Sequence, residues 1–222
     1  MGCMALAFTG RSPRLRHFVN DLKEDIGKVQ VRFGLPEHLK SQAADLYWQA
    51  FGGKLGRVMG PDERAHAFLM RVIREDHCIC AIAKDGRLLG IAGFKSPQGS
   101  FAGGDVIDMR AVYGRFGAAW RGGLMRLLQT DIDNDRFLID GICVSNGDRG
   151  RGIGTALVMA LIEEARSRGY RAVRLEVIDT NIRARALYER LGFCVVNSET
   201  IGLLRLVFGF SRAQTMLRDV AL

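Results

Sequence analysis

The sequence predicts an α/β domain on a sheet of mixed direction. The evidence is an antiparallel hairpin pattern at residues 78–94, a strand, helix and strand pattern at residues 137–178, and helical apolar stripes around both. The chain has 222 residues, 48% of them apolar, enough for one ordinary core. No apolar run approaches the ~18 residues of a membrane-crossing helix, because Arg or Asp interrupts each stretch. The formal charge of +8 is spread over singly placed arginines, which argues against a nucleic-acid partner and suits a ligand with several phosphates. Five cysteines without CxxC spacing predict reduced thiols in a cytoplasmic protein, with neither a disulfide framework nor a metal site. The N-terminal octet has no basic region before it and no cleavage pattern after it, so no secretory signal is expected.

Residues 1–27 lack a sustained period and read as an extension ahead of a domain at 28–222. Val29-Gln30-Val31-Arg32-Phe33 alternates as a half-buried strand does. Pro36 opens a helix with Leu39, Ala43, Leu46, Tyr47 and Ala50 at helical spacing. That helix is expected to end near Phe51, with Gly52-Gly53-Lys54-Leu55-Gly56 as a flexible break. A second helix follows Pro61, and Asp85-Gly86 is the turn signal between the β-rich runs 78–83 and 88–94. Residues 96–136 read as a helical insertion with Trp120, Leu124, Leu127 and Leu128 in register, weakened by Gly117, Gly122 and Gly123.

Next come a strand at 137–144, a helix at 152–168 and a strand at 172–178, expected to lie parallel to the first. The helix places Ile153, Leu157, Leu161 and Ala165 on one face, and Gly169 suits its left-handed cap. Asp179-Thr180-Asn181 caps a further helix that carries Ala184, Leu187, Tyr188 and Leu191 and stops at Gly192. Strands near 194–199 and 203–210 complete the sheet.

Between strand and helix lies Asn146-Gly147-Asp148-Arg149-Gly150-Arg151-Gly152-Ile153-Gly154, a turn that offers backbone N–H groups and a positive helix end to an anion. Its glycines admit a pyrophosphate close to the backbone, and Arg149 and Arg151 add charge. A Walker loop is excluded, because Ile153 stands where that motif needs lysine. A dinucleotide fingerprint begins at Gly152-Ile153-Gly154 but meets Leu157 at its third glycine position, so a dinucleotide-dependent oxidoreductase is a lesser alternative.

With Arg149-Gly150-Arg151-Gly152-Ile153-Gly154, Asn181 and Ala186-Leu187-Tyr188-Glu189-Arg190-Leu191-Gly192-Phe193 assembled, the chain resembles the GNAT superfamily of acyl-CoA-dependent N-acetyltransferases. The resemblance is close over residues 137–193 and coarse over 28–94. It implies a mixed, mostly antiparallel sheet with a central splayed parallel strand pair and helices on both faces. It implies acetyl-CoA as cosubstrate, no metal, and an acceptor that is a small-molecule amine, an amino acid or a peptide N-terminus. Backbone of Ile142, Cys143 and Val144 is then expected to pair with the pantetheine arm and thioester, and N–H groups of Arg149, Gly150, Arg151, Gly152, Ile153, Gly154 and Thr155 to hold the pyrophosphate. Asn181 is expected to bond the pantetheine and Tyr188 to protonate the departing thiolate, which a phenol of pKa about 10 is equipped to do. The plainer alternative for Tyr188 is a core residue with its hydroxyl on a carbonyl.

The attacking amine needs a proton acceptor, and Asp140 is the first candidate, on the reading that it shares a strand face with Ile142 and Val144. Glu176 and His77 are weaker ones, and Cys143 is expected to be inert. The acceptor wall is expected around Tyr47, Trp48 and Phe51. The 96–136 insertion departs from the family pattern; as core or homodimer packing it ranks ahead of a lid role. A non-catalytic acyl-CoA-binding module is the alternative function.

Overall fold

A computed structural model describes residues 29–126 and 135–220, so the expected extension at 1–27 and Leu127 and Leu128 of the insertion lie outside the described residues. The strands are β1 (Val29–Phe33), β2 (Cys78–Ala83), β3 (Leu88–Ser96), β4 (Gly99–Ser100), β5 (Arg136–Val144), β6 (Ala172–Ile178), β7 (Cys194–Thr200) and β8 (Arg212–Asp219). They form one sheet in the order β1-β2-β3-β5-β6-β8-β7, with β4 added to β3. Every pairing is antiparallel except β5 with β6. The mixed sheet and its parallel centre are as the sequence and the resemblance predict.

The parallel contact is short. Arg136, Phe137 and Leu138 pair with Ala172, Val173 and Arg174, and there the ladder ends. Beyond it β5 stays on β3 up to Val144, while β6 stays on β8 up to Ile178. The two central strands therefore diverge toward their C-terminal ends, each still held on its outer side.

Helices cover both faces. The α1 helix (Lys40–Met59) and α2 (Asp62–Val72) pack one face through Ala43, Leu46 and Leu69, with Leu39 just before α1 and Ile73 just after α2. Helices α4 (Ile153–Ser167) and α5 (Ile182–Arg190) pack the other. The stripe of α4 is buried as predicted, with Leu157, Leu161 and Ala165 fully covered.

The expected break at Gly52-Gly53 is absent, and α1 continues through both glycines to Met59. A helical glycine costs about 1 kcal/mol relative to alanine. Burial of the distal Val58 and Met59, each worth about 1.5–3 kcal/mol, offsets it. Gly52 also clears room for Trp48, whose ring would stand 3.0 Å from an added Cβ.

The insertion forms β4 and α3 (Val106–Arg126), which kinks at Gly114, where φ is 69°. Its Tyr113 and Ala118 join Val58, Met59, Phe68 and Val72 in a third cluster. Tyr113 donates to the Met59 carbonyl at 2.5 Å and Arg121 to that of Val58 at 2.7 Å, capping the end of α1. Met109, Tyr113 and Ala118 of the insertion are thus core, while its Ile107, Phe116 and Trp120 are exposed.

The second correction is at residues 203–210. The apolar run is not a strand but a 3-10 turn (Gly202–Leu204) and the short α6 (Arg205–Phe208), closed by left-handed Gly209. The partner of β6 is β8, farther along. Ile201, Leu204, Phe208 and Phe210 are apolar because they line a cavity, and a short apolar run carries no period that separates this role from a buried strand.

Candidate active site

The divergence of β5 and β6 opens a cavity of about 1610 Å³ that passes through the sheet. That exceeds the roughly 300–1,000 Å³ usual for one small ligand. One end is the turn before α4 and the head of α5; the other is the distal half of α1 with residues 199–213.

The turn is an anion cradle. Gly150 and Gly152 have φ of 79° and 81°, the left-handed region that favours glycine. Ala156 is the first residue of α4 whose N–H finds a helical carbonyl, that of Gly152. Among the described residues, no carbonyl or side chain accepts from the N–H groups of Arg149 through Thr155. These orphan donors, with the positive end of α4, fit a pyrophosphate.

Asp148 holds this turn, and the sequence reading missed it. Its carboxylate is 4% exposed and accepts from Arg87 at 2.8 Å and from Arg151 at 2.7 Å. Those two guanidiniums, Arg87 first, keep its carboxyl below the usual range. The hairpin end of β3 is thereby tied to the turn. Arg151 consequently faces away from the cavity, whereas Arg149 lines it and donates to the Val144 carbonyl at 3.2 Å. Only one of the two expected phosphate-side arginines therefore reaches the cavity. An acid flanked by glycine and arginine was the available signal.

Along β5 the ladder with β3 decides which backbone groups reach the gap. Ser145 donates to the Leu89 carbonyl, so by alternation Cys143 pairs with Ile91 while the polar groups of Ile142 and Val144 point toward β6. The expected trio is thus reduced to Ile142 and Val144. The Cys143 thiol is 2% exposed, and burial raises its pKa, leaving no nucleophile.

The β3–β5 ladder also slips between Gly93 and Phe94, which face Gly141 and Ile139 and leave Asp140 as the extra residue of a β-bulge. The expectation that Asp140 shares a face with Ile142 and Val144 is overturned, because an extra residue breaks strand alternation. Ile142 and Val144 pack toward α4, whereas Asp140 lies on the α1 face, where it acts on Tyr47. Its carboxylate lines the cavity, 3.5 Å from the Lys95 ammonium, and accepts from the Ala102 N–H at 3.3 Å.

Tyr188 lies on the opposite, α4 face, 8% exposed and lining the same cavity. Among the described residues its hydroxyl has no hydrogen-bond partner, so the carbonyl-bound alternative does not hold. Burial, with a smaller contribution from Cys143, pushes its pKa up to about 12. Asn181 caps α5, its Oδ1 accepting from the Ala184 N–H at 3.3 Å, which leaves its amide NH2 for the cavity it lines. The lesser candidates have other partners. Arg174 donates to Glu176 at 3.1 Å, and the ring nitrogens of His77 lie 2.7 Å from Asp76 and 2.9 Å from Ser96. No cluster of metal-ligating side chains occurs among the described residues.

A cleft between diverging parallel strands, lined by a turn of free N–H groups and by an unpartnered phenol, fits an extended anionic ligand held through the backbone. The profile of the acetyltransferase (GNAT) family matches residues 41–193, and the chain belongs to that family. A probable N-acetyltransferase, camello, of Xenopus tropicalis is 44% identical over 64 residues, 29% of each chain. The streptothricin acetyltransferase of Streptomyces lavendulae is 42% identical over 60 residues, 27% of this chain and 32% of that one. The chain thus spans less than a third of the length of these two relatives. Among solved structures, a histone acetyltransferase and related acetyltransferase of Corynebacterium glutamicum superimposes with a TM-score of 0.61 at 18% identity, over 88% of this chain and 98% of that one. A putative acetyltransferase of Salmonella typhimurium, solved with its cofactor acetyl-CoA, gives 0.54 at 14% identity, over 87% and 95%. These likenesses share the fold.

Proposed function

We propose that the protein transfers an acetyl group from acetyl-CoA to a primary amine by direct attack, with both substrates in the one cavity. The observation that carries this reading is the pairing of orphan N–H groups at Arg149–Thr155 with the unpartnered hydroxyl of Tyr188 in one cleft. Acetyl-CoA supplies an activated thioester carbonyl and a thiolate leaving group. The turn N–H groups hold the pyrophosphate, Asn181 and the gap-facing backbone of Ile142 and Val144 align the pantetheine arm, and the Val144 N–H supports the developing oxyanion. Tyr188, a phenol protonated at neutral pH, with its pKa pushed further up to about 12 by burial, donates to the departing sulfur. Asp140 accepts the amine's proton from the other face of the sheet. The bulge supports this division: acid and base address the gap from opposite sides.

This reading extends to a cytoplasmic protein whose acetyltransferase domain occupies residues 28–222 behind an extension. The test is incubation with acetyl-CoA and a library of amines, amino acids and peptides while free thiol is recorded. Thiol release with an acetylated product supports it. Coenzyme A binding without turnover on any acceptor overturns it in favour of a binding module.

A further inference from the structure

Lys54 was expected in a flexible break, but the continuation of α1 sets it one turn beyond Phe51, where it lines the cavity from the α1 face of the sheet. Its ammonium is half-buried and lies 5.4 Å from the Phe51 ring centroid. No carboxylate pairs with it among the described residues. The neighbouring wall is apolar, formed by Leu55, Ile201, Leu204, Phe208 and Phe210. The acids that share the cavity are engaged elsewhere: Asp140 with Lys95, Asp148 with Arg87 and Arg151, Glu199 with the Asn197 amide at 2.9 Å, and Glu176 with Arg174. Burial lowers the lysine pKa from its ordinary value, which is the cost of a cation held without a counter-ion.

An unpaired cation here repels any acceptor that arrives only as an ammonium ion. It favours one that brings its own negative charge. We propose that the acceptor is an amino-carboxylate with an apolar body, such as an apolar amino acid, and that Lys54 pairs with its carboxylate. This rests on the reading of the cavity as an amine-acetylation site. The lysine fixes the carboxylate on α1, the apolar wall takes the side chain, and the amine is left facing the gap beside Asp140. Like charge from Lys54 also makes the bound ammonium easier to deprotonate.

The test uses hydrocinnamate and its uncharged amide, hydrocinnamamide, neither of which has an amine to acetylate. Calorimetric titration into the full chain saturated with coenzyme A should show the acid binding about tenfold tighter than the amide. Lys54→Met should erase the difference and Lys54→Arg should keep it. In turnover, phenylalanine should exceed phenylalaninamide in kcat/KM by a similar factor in the wild type but not in Lys54→Met. Equal binding of acid and amide, binding of neither, or a preference that survives in Lys54→Met overturns the proposal. Failure of coenzyme A to bind instead counts against the acetylation reading, and the acid–amide comparison, run on the free protein, still decides the role of Lys54.

Discussion

The two ends of the cavity are built in opposite ways. The end proposed for the cofactor comes from two short stretches of chain, residues 139–155 and 178–190, and what it offers is mostly backbone: orphan N–H groups, left-handed glycines and a strand edge. The end proposed for the acceptor comes from segments far apart, the distal half of α1 and residues 199–213, and what it offers is side chains. A backbone site recognises a ligand common to many proteins, because side chains around it can vary without moving the N–H groups. A side-chain site is free to differ in each chain.

The largest effect that could break this contrast is at the turn. Gly152→Asp puts a negative side chain where φ is 81° and the phosphate should lie. Coenzyme A affinity should fall by about two orders of magnitude or more, measured by calorimetry. Affinity within a few-fold of wild type would remove the turn from the site.

Tyr188→Phe should lower kcat by about a hundredfold or more with coenzyme A affinity nearly unchanged. Unchanged turnover would make Tyr188 a core residue only. In the same assay Asp140→Asn should cost kcat about ten- to a hundredfold. A drop in melting temperature with turnover intact would assign that carboxylate to structure alone, through Lys95 and Ala102.

Asp148→Asn should raise the KM for acetyl-CoA by about tenfold and leave kcat alone, since it loosens the turn and not the chemistry. The sign of its pH dependence follows from its lowered pKa: the stabilisation is complete above the ordinary carboxylate value and is lost as pH falls through the lower native one. Cofactor affinity should therefore weaken in acid below about pH 4 in the wild type, and that limb should be missing from Asp148→Asn. An acid limb of equal size in both proteins would place the effect elsewhere. The smallest effect is expected for Cys143→Ala: turnover within about twofold, and no acylated enzyme by mass spectrometry, because burial keeps the thiol protonated.

The local geometry of the end proposed for the cofactor was legible in the sequence because its determinants are local. Glycine spacing, the cap at Asn181 and the stripe carrying Tyr188 each act within a few residues, and the structure brings them into one cleft. What local pattern could not weigh was burial at a distance. The helix through Gly52 and Gly53 depends on α3 covering Val58 and Met59, and the apolar run at 203–210 is a cavity wall because β8 lies beyond it.

By itself, then, the sequence determined the order of the main elements up to β7, the parallel centre of the sheet and the glycine turn before α4, since periodicity and turn chemistry are properties of neighbouring residues. Only the tertiary structure decided the faces. A single extra residue opposite Gly93 turned Asp140 toward α1, a buried carboxylate drew Arg151 away from the cavity, and packing carried a lysine past two glycines to the acceptor wall. Two of these depend on distant chain, α3 against the end of α1 and Arg87 against Asp148, which lies only three residues from Arg151, and the other on one unpaired position in a ladder.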